Sequence, residues 1–338
     1  MSGPESSRPH SLSSKPGPLV SVVLASRNGE RFLAESLESL AAQTWPHVEL
    51  LLVDDGSTDS TGAILERFAA SQPNARELHT AGVGAAAARA RALAEARGEF
   101  FTLQDDDDRS HPERLEREVR HLLAHPEVQL LGTAAETIDE QGATVAPYAV
   151  PLGAEAIART LKRAPAFVHG SVMMRRDAYR ATGGYRAPFR AAEDYDLYLR
   201  MPSGASLANL PEPLYAWRRH SANSFARARN DHLFFLAVAR AFRDERAATG
   251  SDSIGALAAS PTPEAFLDAY RFQGRLLFYL GEAYTREGRV AEARRYLRRS
   301  MPHRDSRTRA LGWWALSFGM GLARRARGTR TPVARPST

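Results

Sequence analysis

Residues 48–59 read Val-Glu-Leu-Leu-Leu-Val-Asp-Asp-Gly-Ser-Thr-Asp, a mostly apolar run that ends abruptly in two aspartates and a glycine. The run predicts a strand buried on both faces, because a half-buried strand would alternate apolar and polar residues. Gly56 predicts a sharp turn, and one of the polar residues after it can cap the next helix. A cap does not account for Asp54 and Asp55 at the strand tip. These two acids suit a ligand that carries hydrogen-bond donors, such as a base or a ribose.

The same pattern recurs on both sides of this stretch. Apolar runs predict further strands at 19–24, 75–78 and 100–103, and helical spacing predicts helices at about 32–40, 64–68 and 84–96. Strands that alternate with helices predict βαβ units and a parallel sheet, which binds ligands at the carboxyl ends of its strands. Beyond residue 125 the pattern is less regular, with strands expected at 128–132, 134–138, 145–148 and 168–174 and a helix at 193–200.

Composition and charge exclude several classes of protein. The 338 residues are 43% hydrophobic and 25% charged and contain no cysteine, which excludes disulfide scaffolds, thiolate metal sites and cysteine nucleophiles. No apolar stretch reaches the ~18–20 residues that a bilayer span needs. The net charge of +6 is uneven, since residues 286–338 carry 14 arginines against three acids and the rest of the chain is acidic. A main body that grips nucleic acid would be basic, so nucleic acid is not an expected partner.

Four consecutive aspartates, Asp105 to Asp108, follow the strand at 100–103 and precede a helix expected to open at Pro112. Adjacent carboxylates repel one another, and a helix N-terminus offsets only one or two such charges. A divalent cation would offset the repulsion, because Mg²⁺ and Mn²⁺ prefer carboxylate, phosphate and water oxygens. In an extended segment Asp105 and Asp107 would face one side, and Asp106 the other. A solvated acidic loop remains the alternative.

Two further segments are weaker signals. Glu193-Asp194 opens a predicted helix, which by itself is an ordinary acidic first turn. Residues 82–87 match the dinucleotide fingerprint G-x-G-x-x-G/A only loosely, because they follow the weakest predicted strand rather than the first. They are expected to form a flexible loop before a helix that bears Arg89 and Arg91, which could meet a phosphate.

Taken in order, these segments resemble glycosyltransferase family 2, whose members have the GT-A fold. The resemblance covers residues 20 to about 220 and rests on seven ordered motifs: Ser26-Arg27-Asn28, Ser36–Thr44, Val53–Asp59, Gly84–Arg89, Asp105–Leu115, Gly184-Tyr185 with Glu193–Leu197, and Trp217–His220. The resemblance implies an α/β, Rossmann-like, mostly parallel sheet flanked by helices. A C-terminal α-helical extension follows it.

The resemblance also implies a role for each matching residue. Asp194 would be the general base that deprotonates the acceptor hydroxyl. The metal, Mn²⁺ or Mg²⁺, would be held by Asp105, Asp107 and, less directly, His220. The nucleotide-sugar would contact the first strand tip, the second strand tip, the third helix and the aspartate cluster through Ser26, Arg27, Asn28, Asp55, Arg89, Asp105 and Asp106.

A single displacement of this kind inverts the anomeric centre, and nothing in the sequence nominates the second carboxylate that a retaining reaction needs. The expected enzyme moves a sugar from a nucleotide-diphosphate sugar to an acceptor hydroxyl during assembly of cell-surface polysaccharide or glycolipid. Two departures from the family pattern, Ala25 and Ala90, could alter base or sugar preference. The Gln-x-x-Arg-Trp pattern of processive synthases does not follow Asp194, so single transfer is expected. The alternatives are a sugar nucleotidyltransferase, which would need a Gly-rich basic loop after the first strand, and a non-catalytic nucleotide-sugar-binding scaffold.

Composition divides the chain into four segments. We expect a disordered leader at 1–18, a GT-A domain at 19–227, a helical extension at 228–325 and a disordered basic tail at 326–338, with a linker at 250–263. Within the extension, a hairpin resembling a tetratricopeptide unit is expected at 270–301 and an amphipathic helix at 307–325.

The leader has no apolar signal segment, which favours a cytoplasmic location. Trp313-Trp314 and flanking arginines favour peripheral membrane contact through 307–327, at the inner face of the cell membrane, with packing onto the protein's own core as the alternative. The expected partners are the nucleotide-sugar donor and a saccharide or lipid-linked acceptor.

Overall fold

The computed structural model describes residues 17–202, 206–221 and 229–326, with side chains described as far as residue 317. Most of the predicted leader and of the predicted basic tail lies outside these residues. The strands are β1 (Val20–Ser26), β2 (Val48–Asp54), β3 (Ala75–His79), β4 (Phe100–Gln104), β5 (Arg109–Ser110), β6 (Val128–Ile138), β7 (Thr144–Tyr148), β8 (Met173–Arg175) and β9 (Ser206–Arg218).

Helices follow most of the strands and make up the C-terminal third of the described chain. They are α1 (Leu33–Ala41), α2 (Thr61–Ser71), α3 (Ala85–Glu95), α4 (Arg114–Ala124), α5 (Ala154–Leu161), α6 (Arg176–Ala181), α7 (Glu193–Tyr198), α8 (Arg229–Thr249), α9 (Ile254–Ala259), α10 (Pro263–Ala269), α11 (Gln273–Arg286), α12 (Val290–Ser300) and α13 (Arg307–Ala326).

The nine strands of the described residues form one sheet in the order β3-β2-β1-β4-β8-β6-β9-β5, and β7 pairs with β6. The first four strands are parallel, with Val20 level with both Val48 and Phe100. β8 runs antiparallel to β4 and to β6, whereas β6 and β9 are parallel. The predicted α/β class is confirmed; the sheet, expected to be mostly parallel, is parallel in its first four strands and mixed beyond them. Because β1, β2 and β4 are in register, their carboxyl ends open on one edge of the sheet.

Both faces of the parallel half are covered, which explains the continuous apolar runs. Along β1, Val22 and Leu24 belong to the cluster under α1, α2 and α4, while Val23 belongs to the cluster on the opposite face. The cluster around Val23 continues without interruption through α7 into α8 and the later helices. The C-terminal helices therefore share one apolar core with the sheet.

The irregular second half differs from expectation in three places. Residues 128–138 form one continuous strand rather than two. The strand expected at 168–174 begins instead as a 3₁₀ turn at His169–Ser171. A Cβ on Gly170 would lie 1.9 Å from the Tyr215 hydroxyl, so the backbone turns where β9 passes closely. β9 itself is long and was not expected.

The segment expected to be a linker, 250–263, is an ordered connection between α8 and α10. It contains α9, and Asp252 just before that helix is buried between two arginines. The side chains of Arg186 and Arg246 both donate to the Asp252 carboxylate. These bonds fix the connection against the loop that leads to α7.

The last three helices pack on one another. α12 packs on α11, and α13 packs against both of them. One face of α13 is turned inward, with Ala310 and Ser317 fully buried and Trp313 and Trp314 packed against the core. No helix among the described residues is long and apolar enough to cross a membrane.

Candidate active site

The turn after β1 is fastened to the loop after β2. Asn28 adopts the left-handed conformation (φ 55°), which asparagine tolerates better than most residues. Its backbone N–H donates to Ser57 Oγ at 3.0 Å, and its side-chain oxygen accepts from the Thr58 backbone N–H at 2.8 Å. Ser26 is buried, whereas Arg27 is exposed on the same turn. The structure thus places the predicted Ser26-Arg27-Asn28 turn directly beside the Asp54-Asp55 tip.

The Asp55 carboxylate holds the loop between β3 and α3. Its Oδ1 accepts from Thr80 Oγ1 at 2.6 Å and from the Val83 N–H at 2.7 Å, and its Oδ2 accepts from the Gly84 N–H at 2.8 Å. Two backbone N–H groups of the loose glycine fingerprint at 82–87 therefore donate to this carboxylate. A carboxylate has about four acceptor positions, so Asp55 Oδ2 keeps capacity for one more donor.

The four aspartates form a turn rather than an extended segment, and each side chain has a different partner. The Asp108 N–H reaches back to the Asp105 carbonyl at 3.4 Å. Ser26 Oγ donates to Asp106, and the Arg218 N–H donates to Asp108 Oδ1 at 2.7 Å. Asp108 is almost fully buried and has a structural role, whereas Asp105 and Asp107 keep partly exposed carboxylates.

Arg89 joins the aspartate turn to the start of α7. Its side chain, only 9% exposed, donates to Asp105 Oδ1 at 2.8 Å and to Glu193 Oε1 at 2.5 Å. These two acids are 88 residues apart in the chain, and one guanidinium brings them together. Arg89 is thus committed to two carboxylates in this structure, and its predicted contact with the base or the phosphates stays a prediction.

Asp194 is held at the first turn of α7, next to this bridge. The residue before the helix, Ala192, adopts a left-handed conformation (φ 53°), which is a costly one for alanine. Burial raises the pKa of Asp194 to about 7, the charge of Glu193 adds to the rise, and Arg89 opposes it. The charge of Asp105 also acts on this pKa, so the two carboxyl groups lie in one electrostatic environment.

His220 lies on the far side of the aspartate turn. Its Nε2 is 2.8 Å from Asp107 Oδ2, and its ring contacts Phe32 with centroids 4.9 Å apart. The preceding Arg218 is fully buried, donates to the Asp107 carbonyl at 2.8 Å and to Glu35 at 2.7 Å, and so fixes this end of the turn. The predicted site residues Asp105, Asp107 and His220 are therefore close together.

The aspartate turn fits a divalent cation that is completed by other oxygens. Among the described residues, no group of three or more acidic or histidine side chains is arranged to hold a metal ion alone. Burial, with the charge of Asp107, raises the pKa of Asp106 to about 7, and burial with the charge of Asp105 raises that of Asp107. A cation bound nearby would oppose both rises, because it favours the ionised carboxylates. Two carboxylates, water and ligand phosphates form the donor set that Mg²⁺ or Mn²⁺ prefers.

Sequence reasoning missed three residues that organise the site. Glu193 acts through Arg89, Arg218 holds the aspartate turn, and the Tyr215 hydroxyl lies 3.2 Å from the Asp105 backbone N–H. Arg218 and Glu193 both lie within quoted motifs, but neither was given a role there. The contact of Tyr215 depends on tertiary packing and left no local pattern.

Comparison with known proteins shows which family this chain resembles. Residues 21–183 match the model of the family described as Glycosyl transferase family 2. EpsE of Bacillus subtilis strain 168, named as a proposed glycosyltransferase, is 38% identical over 213 residues, which cover 61% of this chain and 74% of that protein. The O-antigen biosynthesis protein RfbC of Myxococcus xanthus is 31% identical over 261 residues, 76% of this chain but only 20% of that protein.

Solved structures show the same fold. Residues 1–349 of Staphylococcus aureus TarS, in complex with UDP-GlcNAc, superpose with a TM-score of 0.58 at 18% identity, covering 93% of both chains. The mannosyltransferase PcManGT of Pyrobaculum calidifontis, in complex with GDP-Man and Mn²⁺, gives a TM-score of 0.50 at 17% identity, covering 93% of this chain and 88% of that one. The GT-A fold is therefore confirmed, and the chain belongs to glycosyltransferase family 2.

Proposed function

We propose that the protein transfers a sugar from a nucleotide-diphosphate sugar to an acceptor hydroxyl with inversion of the anomeric centre. The observation that carries the proposal is the Arg89 bridge, because it brings the aspartate turn and the Glu193-Asp194 turn to one place. The aspartate turn can hold a cation that offsets the charge of the leaving diphosphate. The Glu193-Asp194 turn supplies a carboxylate that can act as a base.

Asp194 is proposed as the general base. Its pKa of about 7 gives a carboxylate that is basic enough to accept a proton from an acceptor hydroxyl and still largely ionised at slightly alkaline pH. In a single displacement the acceptor oxygen forms a bond to the anomeric carbon as the bond to the diphosphate oxygen breaks. The hydroxyl proton passes to Asp194, and the nucleoside diphosphate leaves.

A divalent cation would be held by Asp105 and Asp107, with His220 behind Asp107. Bound there, it would supply positive charge against the diphosphate. Asp106 belongs to the same turn and accepts a hydrogen bond from Ser26. It would lie against the nucleotide-sugar donor. A side chain on Gly29 would fall 2.2 Å from Asp106 Oδ2, so the turn after β1 leaves no room between these residues.

The nucleoside would lie across the tips of β1 and β2. Asp55 Oδ2 keeps one acceptor position for a base N–H, and the exposed Arg27 and Asn28 lie on the turn after β1, beside the loop that follows Asp55. Arg89 would influence the diphosphate by its charge while it keeps Asp105 in place.

A thermal-shift screen tests this proposal. UDP-, GDP- and dTDP-sugars are each added with and without Mn²⁺, and a true donor at ~100 Kd should raise the free energy of unfolding by about 2.7 kcal/mol. The response should need the cation and should be lost in Asp107→Asn, while Asp177→Asn, an exposed acid outside the site, should respond as the parent does. No response from any donor in the presence of Mn²⁺ would contradict the proposal.

The proposed role is a single, non-processive transfer in assembly of cell-surface polysaccharide or glycolipid, with peripheral contact at the inner face of the membrane. In support, α13 keeps Leu311 and Leu316 exposed on its outer side, next to exposed Arg307 and Arg309. Such a surface suits anionic lipid headgroups. Trp313 and Trp314 face the core and would contribute by holding the helix.

Flotation with phosphatidylglycerol vesicles tests the membrane contact. Binding should fall at high salt, because charge attraction is screened, and should fall in a Leu311→Ser/Leu316→Ser variant. The matched control is Leu123→Ser, which changes an equally exposed leucine on α4. Binding that is absent in the parent, or equal in both variants, would remove this part of the proposal.

A further inference from the structure

Two polar atoms near Asp194 are buried and have no hydrogen-bond partner within the described part of the chain. They are the hydroxyl of Tyr185, a residue only 6% exposed, and Nε2 of His169. Folded proteins pair nearly all buried polar atoms, because an unpaired one costs free energy. The two rings contact each other edge to face, with centroids 5.9 Å apart. The two residues that carry these atoms therefore belong to one cluster of packed rings.

Hydrogen bonds hold the His169 imidazole and the Tyr185 backbone in place. Nδ1 of His169 is 3.1 Å from the Tyr198 hydroxyl, which fixes the imidazole in its plane. The Tyr185 backbone N–H donates to the Tyr179 hydroxyl at 3.2 Å. Gly184 just before it has φ 76°, and a Cβ there would lie 2.8 Å from that same hydroxyl. The backbone at Tyr185 is thus held in a conformation that requires glycine at the preceding position.

The cluster borders the proposed reaction centre. The charges of Arg89, Glu193 and Asp194 all act on the Tyr185 hydroxyl, so these groups lie near it. Burial and the nearby Arg89 charge lower the pKa of His169 well below its usual value, so the imidazole is neutral at pH 7. A neutral imidazole has one donor and one acceptor nitrogen, and a phenol can donate and accept.

We propose that the Tyr185 hydroxyl and His169 Nε2 form a subsite for a hydroxyl group of the transferred sugar. A sugar hydroxyl both donates and accepts, so it satisfies this pair whichever tautomer His169 adopts, whereas a phosphate only accepts. The subsite would reject a sugar that lacks the matching hydroxyl, because the buried pair would then stay unpaired. This inference rests on the proposed function, since it needs a nucleotide-sugar donor in the site.

Tyr185→Phe tests the subsite, because it removes the hydroxyl and keeps the ring. Isothermal titration in Mn²⁺ compares UDP with UDP-GlcNAc and UDP-glucose, GDP with GDP-mannose, and dTDP with dTDP-glucose. For the nucleotide-sugar that the parent binds, the variant should bind roughly three- to tenfold more weakly, the loss of one hydrogen bond. The affinity for the matching nucleotide diphosphate should not change. The variant should also be at least as resistant to thermal unfolding as the parent, since no paired group is lost.

Tyr195→Phe is the matched control. Its ring is buried on α7 as well, but its hydroxyl donates to the Leu161 carbonyl at 2.6 Å, away from the cluster. This variant should lose stability and keep the parent's ratio of nucleotide-sugar to nucleotide affinity.

The outcomes separate the two proposals. A parent that binds none of these ligands overturns the proposed function and the subsite with it. A parent that binds a nucleotide-sugar, together with a Tyr185→Phe variant that binds it equally well, overturns the subsite alone. A Tyr185→Phe variant that unfolds at a lower temperature also overturns the subsite, because the hydroxyl would then have a structural partner.

Discussion

Replacing Arg89 by methionine should destabilise the fold and raise the pH at which the enzyme becomes active. The guanidinium is nearly buried and pairs with Asp105 and Glu193. Methionine keeps much of the volume but leaves two acids without their cation, next to the carboxyl of Asp194.

The magnitude follows from these contacts. Removing one partner of a buried ion pair typically costs about 3–5 kcal/mol, because the remaining charge stays desolvated. With an unfolding entropy of ~2.1 cal/mol/K per residue over 338 residues, this lowers the melting temperature by about 4–7 °C. Arg89 also opposes the rise in the pKa of Asp194, so its removal should move that pKa further above about 7.

Thermal unfolding between pH 5 and 8 and the pH profile of turnover measure the two effects. The stability deficit should be largest at pH 8 and should shrink as the pH falls, because protonation removes the repulsion between the acids. The acid limb of the kcat profile should move to higher pH, since a base with a raised pKa is ionised only there. Glu193→Gln added to Arg89→Met should recover part of the lost stability.

Arg91→Met provides the control on the same helix. Arg91 is 64% exposed and pairs with Glu95 one turn away, an arrangement worth only ~0–1 kcal/mol. If Arg89→Met were no less stable than Arg91→Met, or if its acid limb moved to lower pH, the bridge would not have the role assigned to it.

Three other changes test separate parts of the structure. Asp55→Ala should lower the free energy of unfolding by about 3 kcal/mol, because it leaves the three donors of the loop before α3 without their acceptor. A loss below ~0.5 kcal/mol in urea unfolding would contradict this. Burial raises the pKa of Glu118 to about 8, so the parent should lose stability as the pH rises from about 4.5 to 8. Glu118→Gln should therefore match the parent at pH 5 and be more stable at pH 9, and equal stability at both pH values would refute the assignment. Ala310→Leu should cost about 1–3 kcal/mol by overpacking the buried face of α13, and an unchanged unfolding curve would mean that this helix is not docked.

The parallel half of the sheet could be predicted because its signals are local. Acids stand at the ends of β2 and β4, and the continuous apolar runs of β1, β2 and β4 require cover on both faces, which the clusters around Val22 and Val23 provide. β9 could not be predicted, since Pro211 and Pro213 argue against a strand. The structure accommodates Pro213 opposite Ala134, where the register between β6 and β9 shifts.

The site was predictable to the extent that its residues lie at strand ends. The acids after β2 and β4 lie along one edge of the sheet because parallel strands in register end there, which sequence periodicity already implies. The partners of those acids could not be predicted in the same way. Ser26 donates to Asp106, 80 residues away in the chain, and Arg89 donates to Glu193, 104 residues away. No spacing rule links such positions. The family resemblance supplied Asp194, whose own turn was an ordinary acidic one.

The most direct test of the central claim combines the product's stereochemistry with the loss of the proposed base. Once the donor is known, nuclear magnetic resonance of the product of the parent enzyme should show the anomeric configuration opposite to that of the donor. Asp194→Asn should bind the donor as the parent does and lower kcat by about 10²–10⁴. A product with retained configuration, or an Asp194→Asn variant that turns over at the parent's rate, would contradict the account.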